Sequence, residues 1–161
     1  MNTDHIDALQ RDWANERPDL NSEPMGVVLR IQVLAKLLSE QASQCLREYG
    51  LEWWQYDVLA ALRRRSDPLL AMTRLAEEVM LTSGAMTNRI DRLEELGWVR
   101  RQADRKDRRK VLVRLTSAGQ DVVDRATEAR FRAAERAIEG LTAAERSHLS
   151  GLLRDVVLSQ H

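Results

Sequence analysis

Positively charged side chains are concentrated in one short segment of this chain. Residues 98–116 hold eight Arg or Lys and two Asp, around two short runs, 99–102 and 111–115, whose composition is typical of strands. A hairpin this rich in cations suits a polyanion, because each Lys or Arg that contacts a phosphate releases counterions condensed on nucleic acid. Arg105 and Arg108 are the residues that we predict to contact the minor groove or the phosphates of DNA.

A polar helix face lies just before this hairpin. Residues 84–96 have helical periodicity, and Gly97 follows them as a terminator. A second helix, 74–80, is joined to the first by about three residues, and so short a connection forces the steep crossing of a helix-turn-helix unit. Polar side chains on such a helix can read base edges in the major groove. The predicted contacts are Ser83, Thr87, Asn88 and Arg92.

The charge of the chain is unevenly distributed, although its formal net charge is zero. Residues 1–60 hold 5 basic and 10 acidic groups, whereas residues 61–116 hold 14 basic and 8 acidic groups. Docking on DNA depends on the local field more than on the total charge. A purely structural helical dimer or adaptor would not need this concentration of positive charge.

The remainder of the chain is predicted to be helical, so the fold class is all-α with a small β-hairpin wing. Helical periodicity, caps and breakers indicate further helices on both sides of the hairpin. They cover residues 3–16, 23–49, 52–65, 117–139 and 143–159. Gly50 ends one of them, and a capping box from Thr142 to Glu145 opens the last.

Nothing in the sequence indicates catalysis or metal binding. Ser/His/Asp and Cys/His pairs lack a usable context, no glycine-rich phosphate loop is present, and the three histidines are far apart. We therefore predict no enzyme activity, no metal and no cofactor. Cys45 could be a thiol that responds to oxidation, but its place in an apolar stripe favours a small buried side chain. Trp53 and Trp54 are assigned to the core.

The single cysteine and the N-terminus indicate a cytoplasmic protein. One cysteine excludes an internal disulfide and fits a reducing compartment. The first residues are acidic and lack the apolar core of a signal peptide. No apolar run approaches ~18 residues, so we expect no membrane span.

Two strings in the middle of the chain resemble the MarR family of bacterial regulators: SGAMTNRIDRLEELGWVRR and DRKDRRKVLVRLTSAG. The second is similar to the family's wing signature, Asp-x-x-Asp-x-Arg followed by a strand, Leu-Thr and Gly, and the likeness covers residues 24–160. It implies a winged helix-turn-helix homodimer whose two recognition helices lie one DNA turn apart on a pseudo-palindromic operator.

This resemblance divides the chain into three parts. An N-terminal extension helix would occupy residues 1–22, dimerisation helices 23–50 and 117–161, and a winged helix-turn-helix DNA-binding lobe 51–116. The C-terminal helices support a dimer independently, because they hold more apolar side chains than a slender monomer needs. These are Ile138, Leu141, Leu149, Leu152, Leu153, Val156 and Val157.

Residues 13–26, with the strings YDVLAALRR and SGAMTNRIDRLE, resemble more narrowly the PecS and urate-responsive branch of the family, which carries an extra N-terminal helix with a tryptophan. The likeness implies that a small anionic aromatic effector, such as urate or a related purine, releases a repressor from its operator. The implied ligand-binding residues are Trp13, Asp57, Arg89 and Arg101. A flat anionic heterocycle suits an aromatic face and guanidinium groups.

Two plainer interpretations stay open for these residues. The aspartate could form an ordinary ion pair with either arginine while Trp13 packs in the core, since ion-pair networks resemble ligand sites. The effector could also be a phenolic compound, or an oxidant acting at Cys45, as in a generic repressor of the family.

Overall fold

The computed structural model describes residues 3–104, 107 and 110–160. They form a mostly helical fold with one small antiparallel sheet, which confirms the predicted fold class. The chain divides into two compact units, Met1–Gln41 and Ala42–His161, and each is described by itself. Within the described ranges, no helix is long and apolar enough to cross a membrane.

Seven helices and three strands follow one another in the described residues. In chain order they are α1 (His5–Glu16), α2 (Glu23–Arg47), α3 (Trp53–Arg63), β1 (Leu70–Ala71), α4 (Met72–Glu78), α5 (Ser83–Glu95), β2 (Val99–Ala103), β3 (Val111–Leu115), α6 (Ser117–Ala137) and α7 (Ala143–Leu158). Every predicted helix and both predicted strands are present, with ends shifted by a few residues. Strand β1 was not predicted, because two residues are too few to show a hydrophobic period.

In the first unit, Arg30 of α2 holds the start of α1. Asp4 and Asp7 form a capping box in which each side chain accepts the other's backbone N–H. The Arg30 guanidinium donates to both Asp4 oxygens at 2.8 and 2.9 Å and to Asp7 Oδ1 at 2.7 Å. The hydrogen bonds from Arg30 lower the pKa of the Asp4 carboxyl from its usual 3.8, so the carboxylate stays charged, and paired with Arg30, to a more acidic pH. Helix α1 is thereby attached to α2 within this unit.

In the second unit, one core lies beneath the helix-turn-helix. The strands are ordered β1-β3-β2, and the fully buried Val99 and Val113 lie on one face of the sheet. Met86, Ile90 and Leu93 of α5 are fully buried. The remaining large side chains of this core, all fully buried, are Leu46, Leu51, Val58, Leu59, Leu75 and Val123.

Three turns that follow helices of this unit contain a residue in the left-handed backbone conformation. Gly50 and Gly97 have φ of +69° and +73°, which confirms them as terminators of the helices before them. Met80, in the turn of the helix-turn-helix, has φ of +52° although it carries a side chain. The N-cap of α5 is Thr82, whose hydroxyl accepts from the Ala85 backbone N–H. This helix therefore begins one residue earlier than predicted.

A close contact joins the wing to α6. The Thr116 hydroxyl donates to the Gly97 carbonyl at 2.7 Å and accepts from the Gly119 N–H at 3.0 Å. The Thr116 N–H donates to the Trp98 carbonyl at 3.0 Å. A Cβ at Gly119 would lie 1.9 Å from that same carbonyl oxygen, so only glycine allows the approach.

Replacing Gly119 with alanine should lower the free energy of unfolding by about 2–3 kcal/mol, because the added Cβ meets backbone that cannot rotate away. Urea denaturation followed by circular dichroism measures the change. Gly84→Ala is the matched control in the first turn of α5, where a Cβ meets nothing within 4 Å. We expect that control to gain up to about 1 kcal/mol from helix propensity. Equal urea midpoints for the two variants would show that α6 moves away from the Trp98 carbonyl without a loss of stability.

Candidate nucleic-acid interface and effector site

The recognition helix α5 has one apolar and one polar side. Its buried residues are Met86, Ile90 and Leu93, which face the core. The residues predicted to contact DNA are all exposed: Ser83, Thr87, Asn88 and Arg92. Their side chains offer donors and acceptors of the kind that read base edges. The assignment of each to DNA stays a prediction.

The wing consists of β2, β3 and the connection between them. The described backbone continues the pairing beyond the strands, with the Asp104 N–H donating to the Lys110 carbonyl at 3.1 Å. Arg105 and Arg108, the predicted wing contacts, lie outside the described residues. Their role in binding DNA therefore also stays a prediction.

Arg101 of β2 joins the wing to the recognition helix. Its Nη1 donates to Glu94 Oε2 at 2.8 Å, and its Nη2 lies 2.6 Å from Asp91 Oδ1. The Arg101 backbone N–H donates to Glu94 Oε1 at 3.0 Å, and Nη2 donates to the Thr87 carbonyl at 3.2 Å. One side chain thus contacts about two turns of α5. The same contacts pair two carboxylates that would otherwise repel a nearby phosphate.

Arg89 of the recognition helix lies over the ring of Trp54. The guanidinium carbon is 5.3 Å from the ring centroid, which is a cation–π contact. The indole Nε1 donates to Glu52 Oε2 at 2.7 Å, which fixes the ring at the start of α3. Trp54 does pack against the core, as predicted, but sequence reasoning missed its contact with Arg89. No pattern reveals it, because the two residues belong to different helices.

Asp57 lies one turn after Trp54 on α3 and is half-buried. Residues three apart on a helix are neighbours, so the carboxylate and the ring share a face of α3. Asp57 has neither an ion pair nor a hydrogen bond through its side chain in the described part of the chain, whereas Arg101 is paired with two carboxylates of α5. The ordinary ion-pair interpretation of Asp57 is therefore wrong.

The side chains of Trp13 and Trp53 are both too exposed to belong to a core. Trp13 on α1 is 55% exposed, and Trp53 on α3 is 46% exposed. The guanidinium carbon of Arg130 lies 4.7 Å from the centroid of the Trp53 ring. The assignment of Trp53 to the core is therefore wrong, and so is the packed interpretation of Trp13.

Cys45 is half-buried rather than fully buried, so the expected burial is only partly met. Among the described residues, no group of three or more His, Cys, Asp or Glu could hold a metal ion.

Replacing Arg101 with Gln should loosen β2 from α5, because two carboxylates then face each other without a cation. We expect a loss of about 1–2 kcal/mol in local stability, a modest value because these groups are partly solvated. Hydrogen exchange of the β2 amides, measured by NMR, should become roughly ten times faster. Arg64→Gln is the control for the loss of one charge, since Arg64 is exposed and has no ion pair or side-chain hydrogen bond in the described residues. Unchanged exchange in Arg101→Gln would refute the coupling.

Comparison with known proteins places this arrangement among bacterial regulators. A model described as the MarR family matches residues 49–110. The HTH-type transcriptional regulator PecS of Dickeya dadantii is 32% identical over 149 residues, which cover 92% of this chain and 90% of PecS. The uncharacterized HTH-type transcriptional regulator YkoM of Bacillus subtilis is 32% identical over 127 residues, covering 78% and 81% of the two chains.

Solved structures show the same fold. A mutant MarR from E. coli complexed with operator DNA superimposes with a TM-score of 0.71 at 25% identity, covering 84% of this chain and 96% of that one. AbsC, a MarR family transcriptional regulator from Streptomyces coelicolor, has a TM-score of 0.76 at 22% identity, covering 88% and 97%. The first of these proteins carries operator DNA.

Proposed function

The chain belongs to the MarR family of DNA-binding transcriptional regulators, and we propose that it is a repressor that binds a pseudo-palindromic operator as a homodimer. The observation that carries the proposal is the recognition helix itself: its polar side is exposed, and Arg101 attaches it to a basic wing. An effector-dependent repressor of this kind would act in the cytoplasm, beside the DNA. It has no need of catalysis, which agrees with a family of regulators rather than enzymes.

The proposed DNA contacts fall into two kinds. Arg92 and Asn88 of α5 would read base edges, because both side chains can form two hydrogen bonds to one base. Arg105 and Arg108 of the wing would contact the minor groove or phosphates, which adds affinity without reading the sequence in the major groove.

Arg92→Ala should weaken binding to the specific operator by roughly 1–3 kcal/mol. Arg108→Ala should instead weaken binding to all sequences and lower the salt slope of the affinity by about one. Fluorescence anisotropy with operator and scrambled duplexes at several salt concentrations separates the two effects. Arg132→Gln, at an exposed position on α6, is the control for loss of one charge. Wild-type affinity of both variants for the operator would refute these contacts.

The homodimer is supported by the apolar side chains of α7. This helix of 16 residues has no buried residue in the described chain, although it is rich in Leu and Val. Its exposed apolar residues are Leu149, Leu152, Leu153, Val156, Val157 and Leu158. An exposed apolar surface of this length indicates an interface, and a second copy would provide two-fold symmetry for a palindromic operator.

Leu152→Glu should therefore dissociate the dimer, because it places a charge in an apolar interface. Sedimentation velocity measures the change, with Ser147→Glu on another side of the same helix as the control. Removing residues 143–161 should abolish the dimer as well, and folding with it. A Leu152→Glu protein that sediments as a dimer at every concentration would place the interface elsewhere.

We propose that the effector is a small anionic aromatic molecule, urate or a related purine, bound by Trp13, Asp57, Arg89 and Arg101. The Arg89 contact with Trp54 supports a mechanism. A cation–π contact at a partly exposed site is worth only about 0.5–1 kcal/mol, so an anion can draw the guanidinium away from the ring. Moving Arg89 displaces α5, and Arg101 would transmit the displacement to β2.

The unpaired carboxylate of Asp57 supports the same mechanism. A bound anion near it would repel its charge, so binding and a change in the surroundings of α3 are coupled. The ligand shifts the protein away from its DNA-binding geometry only by its preference for the other geometry. Ligand and operator thus compete for the position of one helix.

Titrating urate and related purines into the protein–operator complex should release the DNA. Trp13→Phe should weaken this response with little change in affinity for the operator, whereas Arg89→Ala should reduce both. Salicylate, as a phenolic acid, and peroxide with a Cys45→Ser control test the alternative effectors. Failure of every purine at millimolar concentration would refute the purine effector and leave the DNA-binding function standing.

A further inference from the structure

The outer face of the wing holds two arginines directly opposite each other. Arg100 of β2 pairs in register with Arg114 of β3, and both side chains are exposed. Like charges at opposed positions of an antiparallel pair destabilise the sheet. Neither arginine has an ion pair or a side-chain hydrogen bond in the ranges that the structure describes. The fold therefore keeps two uncompensated guanidinium groups side by side.

The adjacent residue of β2, Arg101, differs from the two outer arginines because its charge is paired. Arg101 points to the inner face of the same strand and is paired with Asp91 and Glu94. Carboxylates are thus provided for the arginine that joins the wing to α5, but not for the two outer arginines. An external anion would remove the repulsion between them.

The two outer arginines line a cavity. Together with Thr116 and Ser117 they line a shallow pocket of about 340 Å³, partly open to solvent, between the base of the hairpin and the start of α6. The Thr116 hydroxyl is engaged with Gly97 and Gly119, and the Ser117 hydroxyl has no partner in the described structure. The cavity is therefore lined by donors and by positive charge.

We propose that Arg100, Arg114 and Ser117 form a binding site for a phosphate group. Each guanidinium group can donate two parallel hydrogen bonds to the oxygens of one phosphate. Two guanidinium groups together offer more hydrogen-bond donors than a single carboxylate can accept. The helix dipole of α6 adds a small favourable term for a negative charge at its start. The phosphate belongs either to a phosphodiester of DNA or to a free phosphorylated molecule.

This site is separate from the proposed operator and effector contacts. Those residues lie on α5, on α3, on α1, at the connection between the strands and, for Arg101, on the inner face of β2, whereas Arg100 and Arg114 lie on the outer face at the base of the wing. Because Thr116 joins this base to α6, a bound phosphate would stiffen the junction between the two.

Calorimetric titration with pyrophosphate tests the site. The wild-type protein should bind pyrophosphate. The affinity should fall roughly tenfold or more in both Arg100→Gln and Arg114→Gln, since each substitution removes a guanidinium group that can donate two hydrogen bonds to the phosphate. Both variants should also melt about 1–2 °C higher than wild type without ligand, because the repulsion is gone. Arg132→Gln controls for loss of one charge elsewhere. A merely structural role for the arginines would not combine higher stability with lost binding.

Operator binding at several salt concentrations then identifies the source of the phosphate. A salt slope lowered by about one in each variant assigns the phosphate to DNA. An unchanged slope with lost pyrophosphate binding assigns it to a free phosphorylated molecule. The proposal is overturned if the slopes are unchanged and either wild type does not bind pyrophosphate or both variants bind it as wild type does. Operator binding by wild type in that case leaves the proposed regulator intact.

Discussion

The ion pairs of Arg101 with Asp91 and Glu94 determine how the DNA-binding part of this molecule holds together. The hydrophobic core sets α5 against the sheet, but apolar contacts alone do not specify the angle between helix and strand. A guanidinium that also binds the Thr87 carbonyl fixes that angle over about two turns of α5. The wing can then follow any movement of the recognition helix.

The alternation of a strand separates two kinds of positive charge on this wing. Arg101 faces inward and is neutralised, whereas Arg100 and Arg114 face outward and are not. The chain thus has zero net charge and still presents a local positive field. Two neighbouring arginines in the sequence consequently differ in their energetics and in the ligands they can bind.

The contacts of the arginines also differ in strength. Arg101 is held by charged hydrogen bonds, whereas Arg89 rests on Trp54 and Arg130 on Trp53. Cation–π contacts are weaker than paired charges, so an anion displaces Arg89 more easily than Arg101. A ligand-responsive regulator depends on this difference in strength. The contact of Arg89 with Trp54 must break when the ligand binds, whereas the ion pairs of Arg101, which transmit the movement of α5 to the wing, must stay intact.

Local patterns in the sequence were sufficient for the helices, both wing strands and the exposed side of α5, since periodicity, caps and glycine terminators act over a few residues. Gly50 and Gly97 end helices as predicted for this reason. The partner of Arg101, the ring beneath Arg89 and the pairing of Arg100 with Arg114 depended on elements distant in sequence. Sequence alone assigned Trp53 and Trp54 alike to the core, and it identified neither the carboxylates that pair with Arg101 nor the residue opposite Arg100. Only the tertiary structure decided which of these arginines and tryptophans meets a carboxylate, an aromatic ring or solvent, because that depends on which elements pack against one another.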